Sequence, residues 1–530
     1  MSAMAATQAT NKALPPVLGR LLSGTFWLAL RTPLQAVFSF WSITLMLGAI
    51  SPTEYGAYGF AWGFGFLQFL LEFGMGSALQ RQVSDAYTRG DRQAVDRSLS
   101  CGLMFYAVVS AVQSIVLLGI AYIALPYSRF TGPSYDLIVK LLWLQALTSP
   151  CYGLGAVATS VLQAARRYDF VPRFELASVV VRFVILAVGL TSGFDFFLVV
   201  VTQTLAQMAL SLVPACWVVV RELGYVPRFR GARMADFAAL TQISFYLFLI
   251  QLSVVLADKV DTTILGFATV DPGWANAVYK NVSMPFLQIR QTGWMLAYLV
   301  MPAVASLVAA RDLAAIERVK YDGTRLLIAM LLPVGLLAWV FAEPFLTLWI
   351  GPRFGAEAHL MRLFLVATIP LCLSVLVQMA IGMGQIKVIA LSALVGSLVN
   401  LPLSYVLTVR LGVAGVIWGT VLTTLFSNLL VPGLYICRTL DVRFGVLARR
   451  TLAPPMVGAL CLLAAVLVSR IFIDPMPLGG DRLHRAIPLL INLTIGSTAY
   501  LVGYLAMPVG RGDFFELTRK LGLRRAAPAA

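Results

Sequence analysis

Runs of about twenty apolar residues recur along the whole chain, separated by short polar gaps, and this constrains its fold more than any other feature. At 1.5 Å per residue a helix of that length spans the ~30 Å hydrocarbon core of a bilayer. No gap is long enough to hold a separate soluble domain. Only 12% of the 530 residues are charged and 59% are hydrophobic, against ~25% charged in soluble domains, so most of the surface cannot face water. The first run is too long for a signal peptide and ends in no small-residue cleavage site, so it is expected to stay as a helix.

The runs and their breaks predict helices over residues 22–49, 55–79, 98–124, 137–163, 172–192 and 195–220. A second set is predicted over 237–257, 276–309, 323–350, 358–382, 388–409 and 412–436, and a final pair over 453–473 and 487–508. The expected fold class is therefore an all-α polytopic membrane protein with about 14 transmembrane helices.

A net charge of +16 suggests nucleic acid in a soluble protein, but in a membrane protein the placement of the charge decides. With a cytoplasmic N-terminus, 27 basic residues fall in the cytoplasmic gaps and tails and 10 in the outer ones; Arg31, Arg182 and Arg290 fall inside helices. Cytoplasmic loops collect Lys and Arg, so both termini are expected in the cytoplasm of a bacterial inner-membrane protein, with the bilayer and not nucleic acid as the partner. The six cysteines lie in or beside apolar runs without a CxxC or Cys/His pair, and His359 and His484 are isolated, so no metal site is expected.

The chain also repeats itself. Gly90-Asp91-Arg92 with Val95 and Arg97 returns as Arg311-Asp312-Leu313 with Ile316 and Arg318; Leu47-Gly48 returns as Leu265-Gly266. The turn at Gln163 to Arg166 matches Gly382 to Gln385, and Gly193 matches Gly412, all at an offset of about 220 residues. Six helices per repeat give both halves the same orientation, a parallel repeat with the substrate site expected between them. The expected division is a cytoplasmic tail (1–21), an N-lobe (22–220), a basic linker (221–236), a C-lobe (237–436), a loop with two further helices (437–508) and a cytoplasmic tail (509–530).

Polar residues inside apolar helices are costly and mark cavities or partners. Arg31 is followed at helical spacing by Gln35, Ser39 and Ser42. Glu175, Ser178 and Arg182 form a similar stripe, which pairing of the two charges would equally explain. The eighth segment carries Lys280, Asn281, Gln288, Arg290, Gln291 and Thr292; Ser244, Gln251 and Asp258 line one face of the seventh, with Lys259 and Asp261 near its outer end. Gln68 and Glu72 share a face of the second. Guanidinium groups bind phosphate oxygens bidentately and amides pair with sugar hydroxyls, so an anionic, hydroxylated ligand is expected at Arg31, Arg182, Arg290, Gln35, Gln251, Gln288 and Gln291. Arg290 and Arg31 have no basic counterpart in the other half of the repeat, near Phe69–Leu71 and Gln251 respectively, which ties them to cargo rather than to the shared fold. Asp258, Asp261 and Glu72 are the candidates for ion coupling.

The stretch Leu47-Gly48, Ser51-Pro52-Thr53-Glu54-Tyr55-Gly56-Ala57-Tyr58, Phe73-Gly74-Met75-Gly76, Ala78 and Arg81 resembles bacterial polysaccharide flippases of the Wzx type. Asp261 before Leu265-Gly266, with Tyr279 beyond, resembles the start of their second half. The family belongs to the multidrug/oligosaccharidyl-lipid/polysaccharide exporter superfamily. The resemblance implies a V-shaped pair of six-helix lobes, alternating access, a cationic cavity and an undecaprenyl-pyrophosphate-linked oligosaccharide for surface polysaccharide (O-antigen or exopolysaccharide) as cargo. A polysaccharide polymerase and a chain-length regulator are the protein partners it suggests, and Arg290 falls on the helix where such flippases carry a functional arginine. No cofactor is expected, and a proton or sodium gradient is left open as the energy source. A lipid II-type flippase or a drug antiporter of the same fold is the alternative; a drug antiporter needs acidic groups deep in its lobes. A membrane glycosyltransferase or polymerase fits less well, because the outer loops are short and hold no paired carboxylates or metal ligands.

Overall fold

The computed structural model describes residues 16–72, 75–165, 167, 170–225, 245–475 and 482–520. Within them every regular element is helical. The chain forms α1 (Pro16–Ala49), α2 (Pro52–Gly63), α3 (Phe66–Glu72), α4 (Met75–Thr88), α5 (Arg92–Tyr127), α6 (Gly132–Ala164), α7 (Phe170–Thr191) and α8 (Phe196–Glu222). It continues through α9 (Phe245–Ala268), α10 (Pro272–Tyr298), α11 (Val300–Ala309), α12 (Leu313–Val340), α13 (Ala342–Ile350), α14 (Ala358–Gly382), α15 (Lys387–Leu411) and α16 (Val413–Thr439). The last elements are α17 (Phe444–Phe472), α18 (Arg482–Ala506) and α19 (Pro508–Lys520).

Among the described residues eleven helical spans are long and apolar enough to cross a bilayer. The helices α1, α2 to α4 and α9 occupy the remaining places where the sequence predicts segments. Ile115, Leu147 and Ile471 are each 70% or more exposed, which is costly in water and neutral against lipid tails. The protein is a multi-pass membrane protein.

The repeat is visible in how helices begin. Gly90 and Arg311 both adopt positive φ, 73° and 54°, and each is followed by an aspartate that caps the next helix. Asp91 accepts from the Ala94 amide and Asp312 from the Ala315 amide, both at 2.9 Å. This satisfies one of the four orphaned N–H groups of a helix start. Gly193 and Gly412 likewise share positive φ.

The predicted helices 276–309 and 323–350 are each divided, at Leu299 and Phe341, and three further elements depart from the predicted pattern. The second predicted helix is divided, α2 ending at a turn over Phe64–Gly65 before α3 begins. The seventh runs to Ala268 instead of ending near 257, because Asp261 finds hydroxyl donors inside the fold and does not need water; residues 237–244 lie outside the described set. The predicted final tail carries α19, held by Asp513, which accepts from Arg325 at 2.5 Å and from the Tyr504 hydroxyl.

The contacts divide the chain into two compact units. One holds Met1–Ser51, Gly65–Pro126 and Tyr135–Phe245; the other holds Pro52–Phe64, Tyr127–Ser134 and Tyr246–Ala530. In the first, Leu79, Val83, Leu99, Val157, Val161 and Val218 make the core, and α1 lies along α7 with Phe38 stacked on Phe183 at 4.5 Å.

In the second unit α2 lies along α10, where a Cβ at Gly56 would sit 1.7 Å from the Gly273 carbonyl oxygen. Only glycine permits that approach, as in the small-residue seams of membrane helices. Phe60 packs against Phe130 of the short Tyr127–Ser134 segment at 4.9 Å. The α15–α16 hairpin closes over Gly415 and Gly419, and α17 meets α18 at Gly458 and Gly503.

Candidate functional site

In the first unit the geometry centres on α1 and α7. Arg31 Nη1 donates to Glu175 Oε2 at 2.5 Å, and both side chains remain about a third exposed. Glu175 therefore pairs with Arg31 and not with Arg182, seven residues further along its own helix. Two turns of helix separate Glu175 and Arg182 by ~10 Å, whereas α1 brings Arg31 directly alongside. Among the described residues no carboxylate lies within ion-pair distance of Arg182; its carbonyl accepts from Gln203 Nε2 at 2.7 Å. Gln35 is exposed one turn beyond Arg31. Glu72, at the end of α3, accepts from the Tyr106 hydroxyl of α5, and Gly76 leaves room for the pair.

The second unit contains a cavity of about 540 Å³. Arg290, Gln291 and Trp294 line it from α10. Opposite stand Ser253 of α9, Asn400 of α15, and Thr420, Thr423, Ser427 and Asn428 of α16. Arg290 is the one charged residue among its described lining residues. The Arg290 guanidinium carbon lies 5.1 Å from the centre of the Phe286 ring, one turn back on its own helix.

Of the residues predicted from sequence, Arg290 and Gln291 meet in this cavity, while Gln288 is not among its lining residues. The positions of Gln251 and Asp258 are on α9, but their side chains lie outside the described set. Asp261 is fully buried just behind the cavity wall. It accepts from the Tyr279 hydroxyl at 2.7 Å and from Thr420 Oγ1 at 2.9 Å, and Thr420 itself faces the cavity. Next to Tyr279, Lys280 reaches between Tyr55 and Tyr58, its Nζ 4.5 and 4.4 Å from the ring centres. Buried Asn281 receives the Tyr55 hydroxyl at 3.4 Å.

Trp294, Asn400, Thr420, Thr423, Ser427 and Asn428 were not singled out by sequence. A signal existed for two of them. Trp294 continues the Arg290–Gln291 face one turn on, and Asn400 is an amide in the middle of a long apolar helix. Hydroxyls such as Thr423 resemble ordinary helix-packing residues and carry no such mark.

The fold is that of the flippases and exporters of the MOP superfamily. One similar solved structure is titled as lipid II flippase MurJ in an inward closed conformation, at a TM-score of 0.68 and 14% identity, covering 96% of this chain and 100% of that one. Another is an inward-facing multidrug resistance MATE family transporter of the MOP superfamily, at 0.62 and 13%, covering 77% of this chain and 96% of that one. An outward-facing MATE transporter aligns at 0.56 and 13%, covering 80% and 96%. No curated protein sequence matches. The family described as "Polysaccharide biosynthesis protein" matches residues 21–303, more than half of the chain, and the chain belongs to it.

Proposed function

We propose that this protein flips an undecaprenyl-pyrophosphate-linked oligosaccharide repeat unit from the cytoplasmic to the periplasmic leaflet, by alternating access, for surface polysaccharide biosynthesis. The observation that carries this is the cavity in the second unit, where one guanidinium stands among amides and hydroxyls and no described carboxylate. A diphosphate carrying a sugar suits that combination. Membership of a polysaccharide biosynthesis family supports the pathway. The excess of basic residues in alternate gaps supports an inner-membrane orientation with both termini cytoplasmic. The residues named here hold and orient the cargo, and the reading requires no chemical step, so the protein is proposed to act as a transporter and not an enzyme. A polymerase and a chain-length regulator are the partners such a route calls for.

The test is transfer in vesicles. Purified protein reconstituted with a lipid-linked oligosaccharide should carry the glycan across the bilayer, as read by its accessibility to a membrane-impermeant glycosidase. Movement of lipophilic cations with no movement of the lipid-linked glycan would overturn the reading in favour of a drug antiporter.

Coupling is proposed to run through Asp261, with Glu72 and Asp258 as further acidic candidates, driven by a proton or sodium gradient. Asp261 touches the cavity wall through Thr420, so a change in its charge is felt where cargo binds. In the same vesicles Asp261→Asn is expected to abolish the acceleration produced by an imposed pH or sodium gradient while leaving cargo binding within about threefold. A variant that still responds fully to both gradients removes Asp261 from the coupling path.

A further inference from the structure

We infer that the cavity of the second unit is a saccharide subsite in which the Trp294 indole is the stacking face for the sugar ring next to the diphosphate. This rests on the proposed function and deepens it, assigning the sugar-specific part of recognition to one residue.

Trp294 lies on α10 one turn beyond Arg290 and lines the same cavity. One turn is ~5.4 Å, the scale that separates a phosphate from the ring it is attached to. The indole is 39% exposed although Gly293 and Ala297 beside it are buried, so its surface is presented rather than packed away. Tryptophan in membrane proteins is ordinarily an interface residue near helix ends. Here it sits well inside the 272–309 span, where that explanation does not apply. The electron-rich face of an aromatic ring attracts positively polarised hydrogens, and a pyranose offers such a face in its axial C–H groups.

The opposite wall complements the polar edge of a sugar. Asn400 Oδ1 accepts from Ser404 at 2.8 Å and from Thr423 at 3.3 Å. The Ser404 hydroxyl therefore holds the amide oxygen, while the Thr423 hydroxyl donates over its shortest distance, 2.7 Å, to the Gly419 carbonyl. Asn428 and Ser427 add donors and acceptors on the same side. A cavity of about 540 Å³ falls in the ~300–1,000 Å³ range of small-ligand pockets, suiting the first sugar and not a whole repeat unit.

The test uses the purified full chain and water-soluble short-chain probes. Farnesyl pyrophosphate supplies chain and diphosphate without a sugar; its glucosyl, galactosyl and N-acetylglucosaminyl derivatives add one ring. At least one glycosylated probe is expected to bind wild type more tightly than farnesyl pyrophosphate. Trp294→Leu should remove that increment, a loss of about three- to tenfold, without changing the affinity for farnesyl pyrophosphate. Trp294→Phe should keep part of it. An equal loss for farnesyl pyrophosphate would overturn the inference and give the indole to the isoprenoid chain. An increment that survives Trp294→Leu, or no increment for any ring in wild type, would also overturn it while leaving the diphosphate site standing. No binding of any probe, farnesyl pyrophosphate included, would overturn the flippase reading and the inference with it.

Discussion

Replacing Arg290 by alanine is expected to lower affinity for the lipid-linked substrate by about one to two decades and to cripple glycan export. The size follows from a charge-assisted hydrogen bond, worth ~1.5–3 kcal/mol. Arg290 is the one cation among the described residues that line the cavity, so no other described lining residue supplies a positive charge there. Its guanidinium lies over the Phe286 ring of its own helix, so membrane protein level is the control that separates lost binding from lost folding. Arg290→Lys should recover part of the export, because it keeps the charge and loses the planar fork. The measurement is export in a deletion strain, normalised to membrane protein level, with binding measured on purified variants. Full export by Arg290→Ala and by the double variant with Arg31→Ala would remove cationic recognition from the mechanism. Arg31 alone is expected to matter less, since Glu175 already neutralises it.

The second large effect is expected at Gly56. A side chain there would begin 1.7 Å from the Gly273 carbonyl oxygen, and that atom belongs to backbone, not to a side chain able to turn away. Gly56→Val must therefore push α2 off α10, disturbing the Tyr55–Asn281 hydrogen bond and the seat of Lys280 between its two tyrosines. Overpacking of this kind costs ~1–3 kcal/mol, at times more, and here it acts on a backbone seam. The purified variant should unfold several degrees lower and export should fall. Gly48→Ala, where an added Cβ meets nothing within 4 Å, is the matched control. Equal stability of the Gly56→Val variant and the control would mean that α2 does not depend on this seam.

Composition alone made the class of fold legible, since apolar runs of bilayer length admit few alternatives. The repeat could also be read, because Asp91 and Asp312 cap helices and caps leave a mark in sequence. Pairings across helices could not. Glu175 has Arg182 two turns along its own helix, and only the approach of α1 shows that Arg31 takes it instead. Asp261 looked like the outer end of a helix, and the two hydroxyls that let it stay buried come from residues 18 and 159 positions away. The cavity was half legible: Arg290 and Gln291 stood out as costly in lipid, whereas the hydroxyl wall of α16 has the composition of any packed membrane helix.

The division of the second predicted helix has a consequence for how the chain can be dismantled. Because Pro52–Phe64 and Tyr127–Ser134 belong to the second unit, the polypeptide passes from one unit to the other five times, not once. A cut between residues 225 and 245, the obvious midpoint, therefore does not yield two self-sufficient halves. The amino-terminal fragment would carry Tyr55, Gly56 and Phe60 with Asn281, Gly273 and Phe267 left on the other piece. The carboxy-terminal fragment would expose the bare flank of α10 and leave Lys280 without its aromatic seat. During synthesis the same arrangement leaves α2, a part of the second unit, without its packing surface until more than two hundred further residues have emerged.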